Sequence, residues 1–136
     1  MTSAVWDLQQ AVHATLATDD AVLTHLGGAR IYDDVPRGTV PPYITLAAFA
    51  ARDWATGTEQ GTEITFTVHA RSRAGGHKHP HLLADAVRAA LHDRPLTLTA
   101  HHLVNLRFES SETRRERDGE TYRVIARFRA VLEHTP

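Results

Sequence analysis

Three imidazoles alternate along Gly75-Gly76-His77-Lys78-His79-Pro80-His81. In an extended loop, His77, His79 and His81 would turn to one side and offer the nitrogen donors that a zinc-like cation takes. Such a site needs three or four ligands in fixed geometry, and the nearest carboxylate, Asp85, stands a turn into the next helical stretch. The chain holds ten histidines, so some clustering is expected without any metal, and a solvated helix entry accounts for the run. His101-His102 is discounted on the same ground.

Nucleophilic chemistry has less support still. There is no cysteine, which removes thiol catalysis, iron–sulfur clusters, disulfides and Cys-based zinc sites. Ser3, Ser72, Ser110 and Ser111 lack the Gly-x-Ser-x-Gly turn that exposes a hydrolase serine. No phosphate-binding loop, dinucleotide fingerprint or His-Glu-x-x-His helix occurs. Arg71 to Lys78 sets three cations beside two glycines and could touch phosphate, and Asp33-Asp34 could act as paired acids; a solvated loop and a solvated turn explain both. No catalytic residue, metal ligand or cofactor is assigned. What remains is contact chemistry, with Trp6 and Trp54 as aromatic anchors of an interface.

The elements that would position these residues follow from periodicity. Val5, Leu8, Val12 and Leu16 share one helical face, which predicts a helix over 4–17 with Ser3 as its cap. Trp6 lies off that stripe and is expected to be partly exposed. Asp19 or Asp20 caps a short second helix carrying Val22, Leu23 and Leu26, stopped by Gly27-Gly28. Ile31-Tyr32 begins a short strand, and Pro36, Gly38, Pro41 and Pro42 then forbid regular structure. Period two over Tyr43 to Trp54 and Glu63 to Arg73 predicts two antiparallel strands, with Ile44, Leu46 and Ala48 on the core side of the first. The link from Ala55 to Thr62, including Gly57, Thr58, Glu59, Gln60 and Gly61, has almost nothing to bury. It is expected, with the Arg71 to His81 loop, to become ordered on assembly with neighbours. Leu82, Leu83, Ala86, Val87, Ala90 and Leu91 predict a helix over 80–92 with Pro80 in its first turn.

Two alternating runs, Leu103 to Thr113 and Thr121 to Glu133, flank Arg117-Asp118-Gly119. A two-residue turn at Asp118-Gly119 would set Phe108 against Arg129 and mix core with surface. A three-residue loop with Gly119 left-handed instead sets Phe108 opposite Phe128, Leu106 opposite Ala130, Val104 opposite Leu132 and Glu109 opposite Arg127. The outer face of this hairpin then carries Arg107, Glu109, Arg123, Arg127 and Arg129, candidates for a subunit or partner interface. The fold class is α+β: an antiparallel sheet with a long C-terminal hairpin, packed against two main helices. One domain over 1–136 is expected.

Composition bounds the function. Fifteen basic against sixteen acidic residues leave a net charge of -1, which disfavours sequence-independent DNA binding by a monomer. Fourteen of those cations are Arg, a residue suited to forked pairing with carboxylates, although genomic base composition gives the same bias. The first ten residues hold no secretory pattern, and no run of about eighteen apolar residues suggests a membrane span.

Several stretches, taken together and in order, resemble one family: Gly28-Ala29-Arg30-Ile31-Tyr32-Asp33-Asp34-Val35-Pro36, Pro42-Tyr43-Ile44-Thr45-Leu46, Leu83 to His92, Leu103 to Glu109, then Tyr122-Arg123 and Arg127 to Ala130. This is the tail-completion or tail-terminator family of long-tailed phages and gene transfer agents, and the resemblance spans nearly the whole chain. It implies a structural virion protein, not an enzyme, forming a ring, typically of six subunits, at the head-proximal end of the tail tube. The implied partners are further copies of itself, the tail tube protein and a head-completion protein, with DNA at most passing through the ring lumen and no membrane. The implied location is the particle tail, after a cytoplasmic stage. The family brings no active-site motif and asks for no metal at His77 to His81. Two readings from other classes stay open: a small His-dependent metal-binding protein or metalloenzyme, and a monomeric α+β binding module.

Overall fold

The first elements are set by local chemistry. The computed structural model describes residues 3–54, 60–73 and 76–134. Helix α1 spans Ala4–Thr18, opened by the Ser3 hydroxyl accepting the Trp6 N–H, with Leu8, Val12 and Leu16 wholly buried. Asp19 ends α1 and also caps α2 (Asp20–Leu26), its carboxylate accepting the Val22 N–H at 3.1 Å. One residue with two caps makes the corner sharp. Gly27, at φ 74, closes α2 in the left-handed conformation.

Five strands follow: β1 (Ile31–Tyr32), β2 (Tyr43–Asp53), β3 (Gly61–Ser72), β4 (His101–Arg115) and β5 (Tyr122–His134). Their order is β1-β2-β3-β5-β4, antiparallel throughout except for the short parallel pair β1–β2. Helix α3 (Lys78–Leu91) joins β3 to β4, and the three helices lie on one face of the sheet. No helix among the described residues is long and apolar enough to cross a membrane. The core between the layers is built from Leu8, Leu16, Ile44, Leu83, Leu91 and Leu106 with the inward residues of β3 and β5.

Four phenylalanines form a row across that core. Phe49 of β2 stacks on Phe66 at 5.1 Å, Phe66 on Phe128 at 5.5 Å, and Phe108 meets Phe128 edge-on at 5.7 Å. The Arg88 guanidinium closes the row 4.2 Å from the Phe108 centroid. This arrangement corrects the expected face of β2. The register slips between Ala47 and Ala50, and Ala48 takes a positive φ of 55 and is exposed. Phe49 occupies the inward place that alternation assigns to Ala48.

The hairpin is corrected in the same way. Phe108 faces Phe128 and Leu106 faces Ala130 as expected. Slips at Val104 and Glu109 set Leu103 opposite Leu132 and Ser110 opposite Arg127, so the Val104–Leu132 and Glu109–Arg127 pairs do not form. The extra residue at Glu109 lengthens the loop from three residues to four, 117–120, closed by Glu116 N–H to Thr121 O at 2.8 Å. Gly119 is left-handed at φ 73, and the Asp118 carboxylate accepts from the N–H groups of Glu120 and Thr121.

Two expected loops are shorter than the sequence suggests. Gly61 is a buried residue of β3 paired with Glu133, and Gln60 accepts the His134 N–H; Gly57, Thr58 and Glu59 lie outside the described residues. In the Arg71 to His81 segment, Arg71 and Ser72 belong to β3, and α3 begins at Lys78.

Candidate functional site

Among the described residues the helices cover one face of the sheet and leave the other open. Alternation sends Glu63, Thr65, Thr67, His69 and Arg71 of β3 outward, with Arg123, Ile125, Arg127, Arg129 and Val131 of β5 beside them. Ile125 and Val131 are nonetheless buried, since the long side chains around them lie across the surface and cover an apolar floor.

Those long side chains pair in threes. Glu63 accepts Arg129 through Nε at 2.8 Å and Nη2 at 2.6 Å, and meets Arg52 at 2.7 Å. Glu116 lies 3.3 Å from Arg71 and 3.5 Å from Arg123. Glu112 lies 3.2 Å from Arg114 and 3.3 Å from Arg127. Each triad shares one carboxylate between two guanidinium groups, so each carries one net positive charge. The bonds from Arg129 hold the Glu63 carboxyl below its usual range against the opposing effect of burial, with Arg52 adding to them.

His69 sits among these cations. Thr67 donates its hydroxyl hydrogen to Ala47 O, so it can only accept at His69 Nε2, 3.0 Å away; this fixes Nε2 as protonated and Nδ1 as a bare acceptor. Burial, then the charges of Arg71 and Arg123, lower the imidazole to about 4, so it is neutral at physiological pH. Among the described residues, the buried side-chain polar atoms that lack a hydrogen-bond partner are His69 Nδ1, Asn105 Oδ1 and Arg123 Nε. All three belong to this face.

The residues singled out from sequence are dispersed in part. Arg123, Arg127 and Arg129 lie on the open face, while Arg107, on the edge strand, reaches Asp93 at 3.5 Å. Glu109 is exposed at its bulge, and Trp54 is half-buried where β2 ends. Trp6 is 49% exposed on the outer side of α1, beside a shallow groove of about 270 Å³ lined with Gln9, Gln10, His13 and Asp33. Sequence reasoning missed Glu63, Glu112 and Glu116, the shared acids, whose partners come together only across strands.

Of the histidine run, His77 and His81 come together, their rings stacked 6.4 Å apart, while His79 turns elsewhere. His77 begins a helix, and residues two apart on a helix point away from one another. His77 packs on Tyr122, and His81 lies 3.4 Å from Thr113 Oγ1. His79 donates through Nε2 to His25 O at 3.1 Å and accepts the Ser72 hydroxyl at Nδ1 at 2.6 Å. Among the described residues no group of three His, Asp or Glu is placed to hold a metal. Ser72 beside His79 has the look of a nucleophile and its base, but its side chain is wholly buried beneath the helices and acts as a structural tie.

The second buried polar centre is likewise structural. Asp7, 1% exposed, accepts the Thr99 N–H at 2.9 Å, the Thr99 hydroxyl at 2.8 Å, the Ala100 N–H at 2.9 Å and His101 Nδ1–H at 2.8 Å. It fastens the start of β4 to the first turn of α1. His101, discounted in sequence, is thus a core histidine.

Comparison with known proteins bears on the whole chain. The family model described as Tail completion protein gp17 matches residues 10–133. A chain of a solved structure described as the virion of a native gene transfer agent particle superposes with a TM-score of 0.87 at 30% identity, covering 97% of this chain and 99% of that one. No curated protein matches.

Proposed function

Because the chain belongs to the Tail completion protein gp17 family, we propose that it is a structural component of a phage or gene transfer agent tail and that its subunits close into a ring. The ring, six subunits in this reading, sits at the head-proximal end of the tail tube and joins tube protein to head-completion protein. DNA passes through its lumen, and the protein is made in the cytoplasm before assembly. It turns over no substrate.

The observation that carries this reading is the end-to-end match to a virion chain, 97% of one against 99% of the other. A shared motif could travel between unrelated activities, whereas here the whole fold is held in common with a particle component. The open sheet face supplies the second requirement. A closed ring of identical subunits needs a heterologous interface, one patch meeting a different patch on the neighbour, and a face with net charge and spare hydrogen-bonding capacity is suited to one side of it.

The test is deletion of the gene in the producing strain, followed by electron microscopy of the particles. Tails without heads or tubes of irregular length, restored by the gene in trans, are expected. Intact, full-length, head-joined tails in the deletion strain would overturn the proposal.

A further inference from the structure

Two surfaces of this chain are complementary in charge and cannot meet within one subunit. On the open sheet face, three Arg–Glu–Arg triads leave excess guanidinium charge around the buried floor of Ile125 and Val131. Among the described residues, the buried polar atoms without a hydrogen bond, His69 Nδ1, Asn105 Oδ1 and an Arg123 Nε that has only its 3.5 Å ion pair to Glu116, all lie on the same face. On the outer side of α1 and the loop after β1, an exposed Trp6 stands beside Asp33, with Asp34 exposed next to it. The sequence is polarised to match. Residues 3–42 carry five aspartates against two arginines, and residues 43–134 carry thirteen cations against eleven acids.

We infer that, in the assembled ring, the Trp6–Asp33–Asp34 patch of one subunit seats on the open sheet face of the next, with Arg123, Arg127 and Arg129 receiving its carboxylates. The inference rests on the ring reading above. The acidic patch lies at the β1 end of the strand order and on the helical side, and the basic face is centred on β5, fourth of the five strands, on the opposite side. Contact between two such patches is head-to-tail, the kind that closes into rings. The chemistry fits both members. A guanidinium that shares one carboxylate keeps further N–H donors for a second, and a tryptophan half out of water is the residue that most often anchors an interface. Phosphate is the poorer occupant, because each triad already spends half its charge on its own glutamate, and a polyanion gains most from cations that are free.

The absence of cysteine provides the experiment. Asp33→Cys and Arg127→Cys, both at exposed positions, are introduced singly and together, and purified tails or reassembled rings are treated with a short bis-maleimide. The double variant should give a denaturing-gel ladder that ends at one closed size, and each single variant should remain monomeric. No ladder from double-variant rings, or dimers from a single variant, would overturn the inference. A second measurement uses charge. Asp33→Arg and Arg127→Glu should each weaken assembly by about tenfold or more, and the two together should recover most of it. If Arg127→Glu lowers affinity for a duplex DNA oligonucleotide while leaving assembly untouched, the face serves nucleic acid and the inference falls. Failure of the ring reading is distinguishable, since the wild-type protein would then show no closed oligomer by native mass spectrometry or on tails.

Discussion

Replacing Asp7 tests whether a single buried carboxylate holds the two halves of the chain together. Its four hydrogen bonds all come from Thr99, Ala100 and His101, more than ninety residues away in sequence. Asp7→Ala removes the acceptor and leaves four donors facing a cavity. Each buried donor without a partner costs about 1–3 kcal/mol, but the exposed Thr99 can turn to water. The two less accessible donors, Ala100 N–H and His101 Nδ1–H, then set the scale, which gives a loss of about 3–5 kcal/mol, the range seen when one member of a buried pair is deleted. Against a total of about 5–15 kcal/mol this is a large fraction. For a chain of this length it lowers the melting temperature by on the order of 10–15 °C. Asp7→Asn should fall between, since its amide retains one oxygen acceptor and turns an NH2 group toward donors. Urea denaturation with a constant m-value is the assay. Asp7→Ala within about 1 kcal/mol of wild type, or Asp7→Asn equal to wild type, would refute the reasoning. The pH dependence adds a check. Burial acts to raise the Asp7 carboxyl, but the bonds from His101, Thr99 and Ala100 outweigh it and hold the group well below its ordinary 3.8. Its stabilisation is therefore complete above that value and is lost as the pH falls from there through the folded one.

Gly119→Val should cost about 1–2 kcal/mol in the same assay, because a β-branched residue resists the left-handed conformation at φ 73; an unchanged midpoint would mean the loop rearranges freely. Gly61→Ala should also destabilise, by about 1–3 kcal/mol, since the added Cβ would stand 2.7 Å from Trp54 O and 3.1 Å from Leu132 O, both backbone atoms. His69 should titrate near 4 by NMR, and its neutral state makes stability fall with acid between 6.5 and about 4, a dependence that His69→Gln removes; an ordinary value near 6.5 would contradict its placement.

Sequence patterning located every helix and strand of the described residues because those signals are local. Ser3, Asp19 and Gly27 act through bonds to residues three or four away, and a stripe such as Leu8, Val12 and Leu16 is visible without knowing its partner. The register slips are different. Nothing near Ala48 announces a left-handed alanine, which costs about 1–2 kcal/mol. The compensation lies on another strand: turning Phe49 inward partly buries an aromatic side chain against the core and stacks it on Phe66, the stacking alone worth about 0.5–1.5 kcal/mol. The slip at Glu109 has a similar cause. Keeping Phe108 on Phe128 while bringing Glu112 to Arg127 requires one extra residue between them on β4. Strict alternation cannot express such a bargain between distant residues, so it gave the right centre of the hairpin and the wrong ends.

The open face shows the same division and gives the arginine bias a structural meaning. Arg123, Arg127 and Arg129 could be read as outward from β5 alone, but each acid they share comes from a different strand or loop. Glu63 is 66 residues from Arg129, and Glu116 stands between the end of β4 and the hairpin loop it closes. Among the described residues, eight of the fourteen arginines, at 52, 71, 73, 107, 114, 123, 127 and 129, take part in ion pairs with carboxylates. A lysine offers one point charge, and could not place two donors in a plane on one carboxylate oxygen as Arg129 does on Glu63. Genomic composition can supply arginine, but it does not choose where it stands. Arginine concentrates where a bare sheet face must hold its own charged side chains flat over Ile125 and Val131 and still keep donors to spare, and a surface with donors to spare is prepared for a carboxylate it does not itself contain.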